Sequence, residues 1–272
     1  MTGTSKITRY AIVYSVLSAA TFVSIFPFYW MIVGATNTSA EIVKGKTSFG
    51  GNLLANIERL LEQVDLGRVF LNSAGLAVAG TLLTLLVSSL AGYGFEMFRS
   101  RIRERIFALL LLLLSVPFAA LMVPLFIMVS SAGLANTFVA VVLPSIASIF
   151  IIFYFRQATK AFPGELRDAA RIDGLREWQI FLHVYMPAMR STYAAATIIV
   201  FMMSWNNFLW PLIVLQTPEH KTITLVISAL TSAYTPDFGV ILVATILATL
   251  PTLVLFFVLQ RQFVAGMLGS VK

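Results

Sequence analysis

The chain has 272 residues, of which 58% are hydrophobic and only 11% are charged. A typical soluble domain has about a quarter of its residues charged, and a fold of this size has too little interior for so many apolar side chains. The composition excludes a soluble enzyme, a disordered chain and a fibre, and it predicts an all-α protein with several membrane spans. With no cysteine and two histidines, we expect neither disulfides nor a metal site.

Six apolar segments are long enough to cross a membrane, because a helix of 24 residues is about 36 Å long and the hydrocarbon core is about 30 Å thick. Backbone polar groups in lipid must pair within their own segment, so each is predicted to be helical. The first follows Lys6 and Arg9 and is too long for a cleaved signal peptide, so we interpret it as a retained helix. The predicted spans, in a single transmembrane domain of residues 1–272, are residues 11–34, 69–95, 106–129, 138–155, 193–216 and 238–259.

The basic residues are distributed unevenly between the two sides of these spans. If both termini are cytoplasmic, 14 of the 19 Lys and Arg residues lie inside, whereas the acidic residues divide equally. This bias is the one that orients membrane proteins. The net charge of +7 is therefore interpreted as an orientation signal, and no nucleic-acid partner is expected. The basic run at residues 99–105 is predicted to anchor the topology, with contact to anionic membrane lipid as the alternative.

Two of the connections are predicted to contain helices. In the outer segment of residues 35–68, apolar residues recur at helical spacing from Leu53 to Val64, which indicates a short amphipathic helix. The inner loop of residues 157–191 has seven charges between Glu165 and Glu177. Placing them in lipid would cost about 17–25 kcal/mol, at roughly 2.5–3.5 kcal/mol each, so this loop must lie outside the hydrocarbon.

The inner loop is nevertheless patterned as two helices. Pro163 suits the start of the first, and Gly174 suits the left-handed residue that ends it. The second has an apolar stripe at i, i+3, i+4 and i+7, formed by Trp178, Phe181, Leu182 and Tyr185. The loop is interpreted either as a solvated segment with an aromatic helix in the membrane interface or as a docking element for another protein, with small residues for close approach and charges for orientation.

The spacing in this loop resembles a known family. Asp168, Ala169 and Ala170 are followed after three residues by Gly174, after nine more by Val184, and after one more by Met186 and Pro187. This is similar to the EAA loop of ATP-binding-cassette (ABC) importer permeases, which reads EAA, three residues, G, nine residues, I, one residue, LP. The flanking residues 170–174 and 178–181 resemble the carbohydrate-uptake branch of that family. Asp168 is a departure that shortens the acidic side chain by one methylene.

The resemblance implies a fold with six transmembrane helices, both termini in the cytoplasm, and a coupling helix between the fourth and fifth. It implies a bacterial inner-membrane protein that catalyses nothing itself, with ATP and Mg²⁺ bound by a partner ATPase and no cofactor in this chain. The implied partners are a second permease, a dimer of ATPase subunits and an extracytoplasmic sugar-binding protein. The residues implied to bear on the ATPase are Glu165, Asp168, Ala169, Ala170, Gly174 and Pro187.

The fifth span contains polar residues that suit a sugar pathway. Polar groups at membrane depth tend to face a cavity or a partner helix. Amides can hydrogen-bond to sugar hydroxyls, and indoles can stack on sugar rings. Hydrogen bonding between helices is the structural alternative. The candidate pathway residues are Ser204, Asn206, Asn207 and Trp210.

Two other functional classes were compared with the ABC permease. A secondary transporter favours ionisable groups at membrane depth and inverted repeats, and neither is visible here. A membrane enzyme would need a constellation such as the His-Glu-x-x-His metal motif, which the sequence lacks. Within the ABC class, a non-sugar solute such as glycerol phosphate remains the alternative to a di- or oligosaccharide.

Overall fold

The computed structural model describes residues 3–268, with side chains from residue 10 to residue 261. The regular elements in that part of the chain are all helical. Leu143–Ser145 and Pro218–His220 form 3-10 turns, and Phe181–Tyr185 forms a π turn. The α-helices are α1 (Gly3–Ala35), α2 (Ser39–Val43), α3 (Leu53–Gln63), α4 (Leu66–Met97), α5 (Arg101–Leu113), α6 (Phe118–Ser131), α7 (Phe138–Val142), α8 (Ile149–Thr159), α9 (Gly164–Ile172), α10 (Glu177–Ile180), α11 (Met186–Ala188), α12 (Arg190–Trp205), α13 (Leu209–Val214), α14 (Ile223–Thr231) and α15 (Phe238–Leu268).

Four of the predicted spans coincide with helical segments that are long and apolar enough to cross a membrane. They lie in α1, in α4, in α12 together with α13, and in α15, with bounds Tyr10–Ala35, Leu66–Met97, Arg190–Val214 and Phe238–Arg261. The prediction of an all-helical chain with several spans is confirmed for the described residues. The chain ends, to which the predicted cytoplasmic termini refer, lie outside those residues.

The third and fourth predicted spans are not single straight helices. Residues 106–129 fall on α5 and α6, which are bent by 102° relative to each other. Residues 138–155 fall on α7, its 3-10 turn and α8, with a bend of 43°. Pro117 precedes α6 and Pro144 lies in the 3-10 turn. Since proline cannot donate the backbone hydrogen bond that continues a helix, both breaks have a local cause. The described residues contain four candidate spans, or six if each bent pair is one span.

One compact unit is formed by the described parts of Met1–Leu66 and Val226–Thr249. Its apolar core includes Leu60 of α3 and Val240 of α15. The predicted amphipathic helix is present as α3. Asp237 precedes α15, accepts hydrogen bonds from its first amides, and pairs with Arg59 of α3 at 2.7 Å. Apolar packing and this ion pair together hold α3 against the start of α15.

The second compact unit is formed by the described parts of Gly67–Leu225 and Leu250–Lys272. Here α4 packs closely on α8. A Cβ atom added to Gly92 would lie 2.6 Å from the Cβ of Phe155, so the contact requires a residue without a side chain. Small residues at such contacts are typical of close helix packing in membrane proteins. The inner loop of residues 157–191, called the charged loop below, lies at one end of α4. A cavity lies along the length of the same helix.

Candidate functional site

The first helix of the charged loop, α9, ends as the sequence predicts. Pro163 precedes it, and Gly174 follows it with φ of +83°. The amide of Leu175 donates to the carbonyl of Ala170 at 3.0 Å, and the amide of Gly174 donates to the carbonyl of Arg171 at 3.0 Å. These two bonds form a Schellman motif, which satisfies the last carbonyls of the helix. The left-handed glycine thus separates α9 sharply from the segment that follows.

The residues that the resemblance singled out do not all face the same way. Ala170 is buried in the chain with 6% exposure, so in this structure it contributes to internal packing. Ile172 is 86% exposed and lies on the helix face of Glu165, Asp168 and Ala169, at i, i+3, i+4 and i+7. Ile172 is not among the predicted residues, although its helical spacing from Glu165 and Asp168 is visible in the sequence. The other residues of that prediction are exposed, namely Glu165, Asp168, Ala169, Gly174 and Pro187.

Glu177 connects α9 to the rest of the loop. Its carboxylate accepts hydrogen bonds from Arg171 at 2.5 Å, from Arg167 at 3.1 Å and from the hydroxyl of Tyr93 at 3.2 Å. Burial acts to raise the pKa of Glu177, but the hydrogen bonds from Arg171 and Arg167 outweigh it and hold this pKa below its usual value. The Arg167 guanidinium also lies 4.8 Å from the ring centroid of Phe98. The loop is therefore fixed to the end of α4.

The predicted apolar stripe of the second loop helix is divided between two environments. Trp178 and Leu182 are exposed, whereas Phe181 and Tyr185 are buried. The Tyr185 hydroxyl is 2.6 Å from the hydroxyl of Thr159 at the end of α8. The stripe therefore does not lie wholly in the membrane interface, because half of it anchors the loop in the interior.

A buried ion cluster beside the loop was missed by the sequence reasoning. Arg156 of α8 lies 3.4 Å from Glu96 of α4 and 2.5 Å from Glu104 of α5. Its guanidinium also lies 4.0 Å from the ring centroid of Phe107. Glu96 and Arg156 are each the first residue after a predicted span. This shared position, with opposite charges, is the sequence signal that could have identified the pair. The buried Arg156 therefore ties the ends of three helices together, through the buried Glu96 and the half-exposed Glu104.

A cavity of about 310 Å³ lies between α4, the broken α7–α8 segment and the break between α12 and α13. Three of the four predicted pathway residues, Ser204, Asn207 and Trp210, line it. Asn206 does not, since it is exposed and donates a hydrogen bond to the carbonyl of Met202 in its own helix. The indole N–H of Trp210 donates to the carbonyl of Ala140 at 2.9 Å, so this donor is already engaged within the fold.

Further lining residues were not predicted as pathway residues. Several of them are hydroxyl-bearing or aromatic, most of the others are aliphatic, and no ionisable residue is among the lining residues that the structure describes. Thr84 donates to the carbonyl of Ser145 at 3.1 Å, next to the break before α8. Helix breaks at membrane depth are tolerated where they line a cavity. The cavity therefore suits a neutral solute that offers hydroxyl groups. These unpredicted residues include Thr84, Ser145, Ser148, Trp205 and Thr222.

The chain segment between α13 and α14 is fastened at both ends. The Asn136 side chain accepts a hydrogen bond from the amide of Gln216 at 3.0 Å and donates one to the Thr217 hydroxyl at 3.1 Å. The side chain of Asn72 donates to the carbonyl of Glu219 at 2.8 Å. These amide contacts give the segment a defined path to Thr222 at the cavity wall.

Comparison with known proteins agrees with this architecture. Residues 84–269 match the family described as the inner membrane component of binding-protein-dependent transport systems. The lactose transport system permease protein LacG of Rhizobium radiobacter is 65% identical over 259 residues, which are 95% of each chain. The arabinooligosaccharides transport system permease protein AraQ of Halalkalibacterium halodurans is 34% identical over 92% of each chain.

Two further matches are more distant. The sn-glycerol-3-phosphate transport system permease protein UgpE of Agrobacterium fabrum is 30% identical over 91% of this chain and 92% of its own. A chain in the crystal structure of a bacterial ABC transporter involved in the import of the acidic polysaccharide alginate has a TM-score of 0.83 at 18% identity, covering 97% of this chain and 99% of its own. That likeness concerns the fold. The chain therefore belongs to the family of binding-protein-dependent transport system inner membrane components, the non-catalytic permease subunits of ABC importers, and is a multi-pass protein of the inner membrane.

Proposed function

We propose that this permease carries a neutral di- or oligosaccharide, with lactose as the first candidate. The observation that carries the proposal is the cavity, whose described lining offers hydroxyl, amide and aromatic groups and no ionisable group. A phosphorylated solute would need cationic partners in a desolvated site, so the lining argues against the cargo named for the UgpE relative. The 65% identical relative is named for lactose, which supports the choice of first candidate.

For the topology we propose six spans with both termini in the cytoplasm. In this arrangement α5 with α6 is the third span and α7 with α8 is the fourth, each broken at its bend. The charged loop between α8 and α12 then lies inside, and 14 of the 19 basic residues, those of the loop included, lie on that side. This arrangement satisfies the bias of basic residues toward the cytoplasm.

The proposed complex contains four kinds of component besides membrane lipid. They are this permease, a second permease that completes the pathway, a dimer of ATPase subunits that bind ATP and Mg²⁺, and an extracytoplasmic sugar-binding protein. The docking face for the ATPase is the exposed side of α9, with Glu165, Asp168, Ala169 and Ile172. Two carboxylates beside small and apolar groups suit a partner surface with a shallow apolar cleft and basic residues at its edge.

Coupling in this proposal depends on how firmly the loop is attached. A force on α9 passes through Arg167 and Arg171 to Glu177, and from there to Tyr93 at the end of α4. The same α4 forms one wall of the cavity further along the helix. Closure of the ATPase dimer would therefore move a cavity wall without any catalytic group in this chain.

The proposed transport is tested by uptake into vesicles that contain the complete importer and its binding protein. Labelled lactose should accumulate only with internal ATP, and vanadate should stop the uptake. Uptake that follows a proton or sodium gradient without ATP would contradict the ABC mechanism. Competition by glycerol 3-phosphate, without competition by oligosaccharides, would contradict the sugar assignment.

The role of the cavity is tested by two neighbouring asparagines. We expect Asn207→Ala to raise the KM for sugar uptake roughly threefold to tenfold, because one hydrogen bond contributes about 0.5–1.5 kcal/mol. Asn206→Ala is the matched control and should leave KM unchanged, since that side chain does not line the cavity. Equal KM values for the two variants would contradict a sugar contact at Asn207.

A further inference from the structure

The arginines at the start of α5 differ in their contacts. Arg99 pairs with a carboxylate at the end of α4. Arg103 donates to the carbonyl of Phe98 and lies 5.5 Å from the centroid of that ring. Arg101 and Arg105 are exposed and form no hydrogen bond or ion pair with any residue that the structure describes. Two guanidinium groups are therefore available for an external ligand.

Arg101 and Arg105 lie on one face of the helix, since residues four apart are neighbours on a helix surface. Together with Arg99, Ser100 and Glu104 they line a shallow groove. The carboxylate of Glu104 is engaged by the buried Arg156, so it does not neutralise the two free arginines.

The local charge strongly favours an anion. Around the groove, five arginine side chains are balanced by two carboxylates, which leaves a formal charge of +3. The arginines are Arg99, Arg101, Arg103, Arg105 and Arg156, and the carboxylates belong to Glu96 and Glu104.

The same helix face continues as an apolar surface. Leu109 and Leu112 are exposed. Counted from Arg101 as position i, they stand at i+8 and i+11, so they continue the stripe that Arg101 and Arg105 begin. A free phosphate would use only the charged end of this stripe. A phospholipid would use all of it, with its phosphodiester on the guanidinium forks and its acyl chains along the leucines.

We propose that the groove of Arg101 and Arg105 is a binding site for an anionic phospholipid. The headgroup phosphate lies between the two guanidinium groups, and the acyl chains follow Leu109 and Leu112 along α5. The inference goes beyond the transport function and does not depend on which sugar is carried. It assigns to these two arginines a specific ligand in addition to their contribution to membrane orientation.

The experiment is native mass spectrometry of the intact purified importer, with added phosphatidylglycerol or phosphatidylcholine. We expect the wild-type complex to retain phosphatidylglycerol in preference to phosphatidylcholine. The double variant Arg101→Gln/Arg105→Gln should retain it roughly tenfold less, because the charge-assisted hydrogen bonds to the phosphate are lost. Arg103→Gln removes the same charge from the same run and should retain phosphatidylglycerol like the wild type.

Three outcomes would overturn the proposal. They are wild-type retention by the double variant, equal retention of the two lipids by the wild type, and displacement of phosphatidylglycerol by millimolar inorganic phosphate. If the double variant does not assemble, Arg101→Gln and Arg105→Gln are measured singly, where partial loss supports the site and no loss overturns it. Lipid retention is read without transport, so an error in the sugar assignment would leave this result unaffected.

Discussion

At the scale of single residues, Gly174 determines where α9 ends. Its φ of +83° lies in the left-handed region, which costs an L-residue with a side chain roughly 1–2 kcal/mol. Among the described residues other than its chain neighbours, none has an atom within 4 Å of a Cβ placed at this position. The backbone conformation, rather than available space, therefore restricts the residue.

We expect Gly174→Val to reduce ATP-driven uptake, because a β-branched side chain resists the left-handed conformation and would tilt the face of α9 that we propose as the docking face. Gly174→Asn is the rescue control, since asparagine adopts this conformation more readily. Uptake by vesicles that contain each variant is the measurement. Wild-type uptake in Gly174→Val would refute the requirement, and equal loss in both variants would point to a side-chain clash with the partner.

Glu177 gives the loop a defined pH dependence. The pKa of Glu177 in the folded chain lies below the ordinary value of 4.5. The bonds of Glu177 with Arg167 and Arg171 therefore stabilise the loop when the pH is above 4.5, and this stabilisation is lost as the pH falls through the lowered pKa. We expect proteolysis of the loop in the assembled permease to be constant from neutral pH down to about 5 and to increase in more acidic solution. Glu177→Gln should lack this increase. A rise at mildly acidic pH in the wild type would contradict the assignment.

At the scale of elements, Arg156 joins α4, α5 and α8. Its side chain and that of Glu96 have exposures of only 8% and 5%. Removing one partner from a buried pair costs up to about 3–5 kcal/mol, and without Arg156 the buried Glu96 would keep only an exposed partner. By contrast, Arg99 contacts the same Glu96 with a side chain that is 59% exposed, and exposed pairs contribute about 0–1 kcal/mol.

Arg156→Met should therefore lower the Tm of the purified complex by several degrees, whereas Arg99→Met should change it little. Both variants remove one arginine, so they change the net charge equally. Thermal unfolding followed by the fluorescence of the permease distinguishes them. Similar Tm values for the two variants would show that burial of Arg156 contributes no stability.

At the scale of the whole molecule, the distribution of basic residues predicts the orientation. The chain contains no cysteine, so single cysteines can report the side on which each segment lies. We expect Ser131→Cys, at the end of α6, to react with an impermeant maleimide in intact cells. Lys160→Cys, after α8, should react only after the membrane is opened. The opposite pattern would contradict the proposed topology.

Much of the fold could be predicted from the sequence because the responsible forces act locally. Apolar length determines membrane spans, helical spacing indicated α3, and a proline and a glycine marked the ends of α9. Charge density predicts that the charged loop lies outside lipid. The breaks of the third and fourth spans were harder to predict from the sequence, because proline bends some helices and not others. Pro117 and Pro144 lie at breaks, whereas Pro124 lies inside the continuous α6.

By itself the sequence determined that this chain is a helical membrane protein, how its loop is patterned and which family it resembles. Only the tertiary structure decided which side chains of those patterns meet. It buried Ala170, exposed Ile172, placed Asn207 at the cavity and Asn206 away from it, and paired Glu96 with Arg156 across 60 residues of sequence. Periodicity assigns a residue to a helix face, but the element that covers that face is determined by contacts between distant segments.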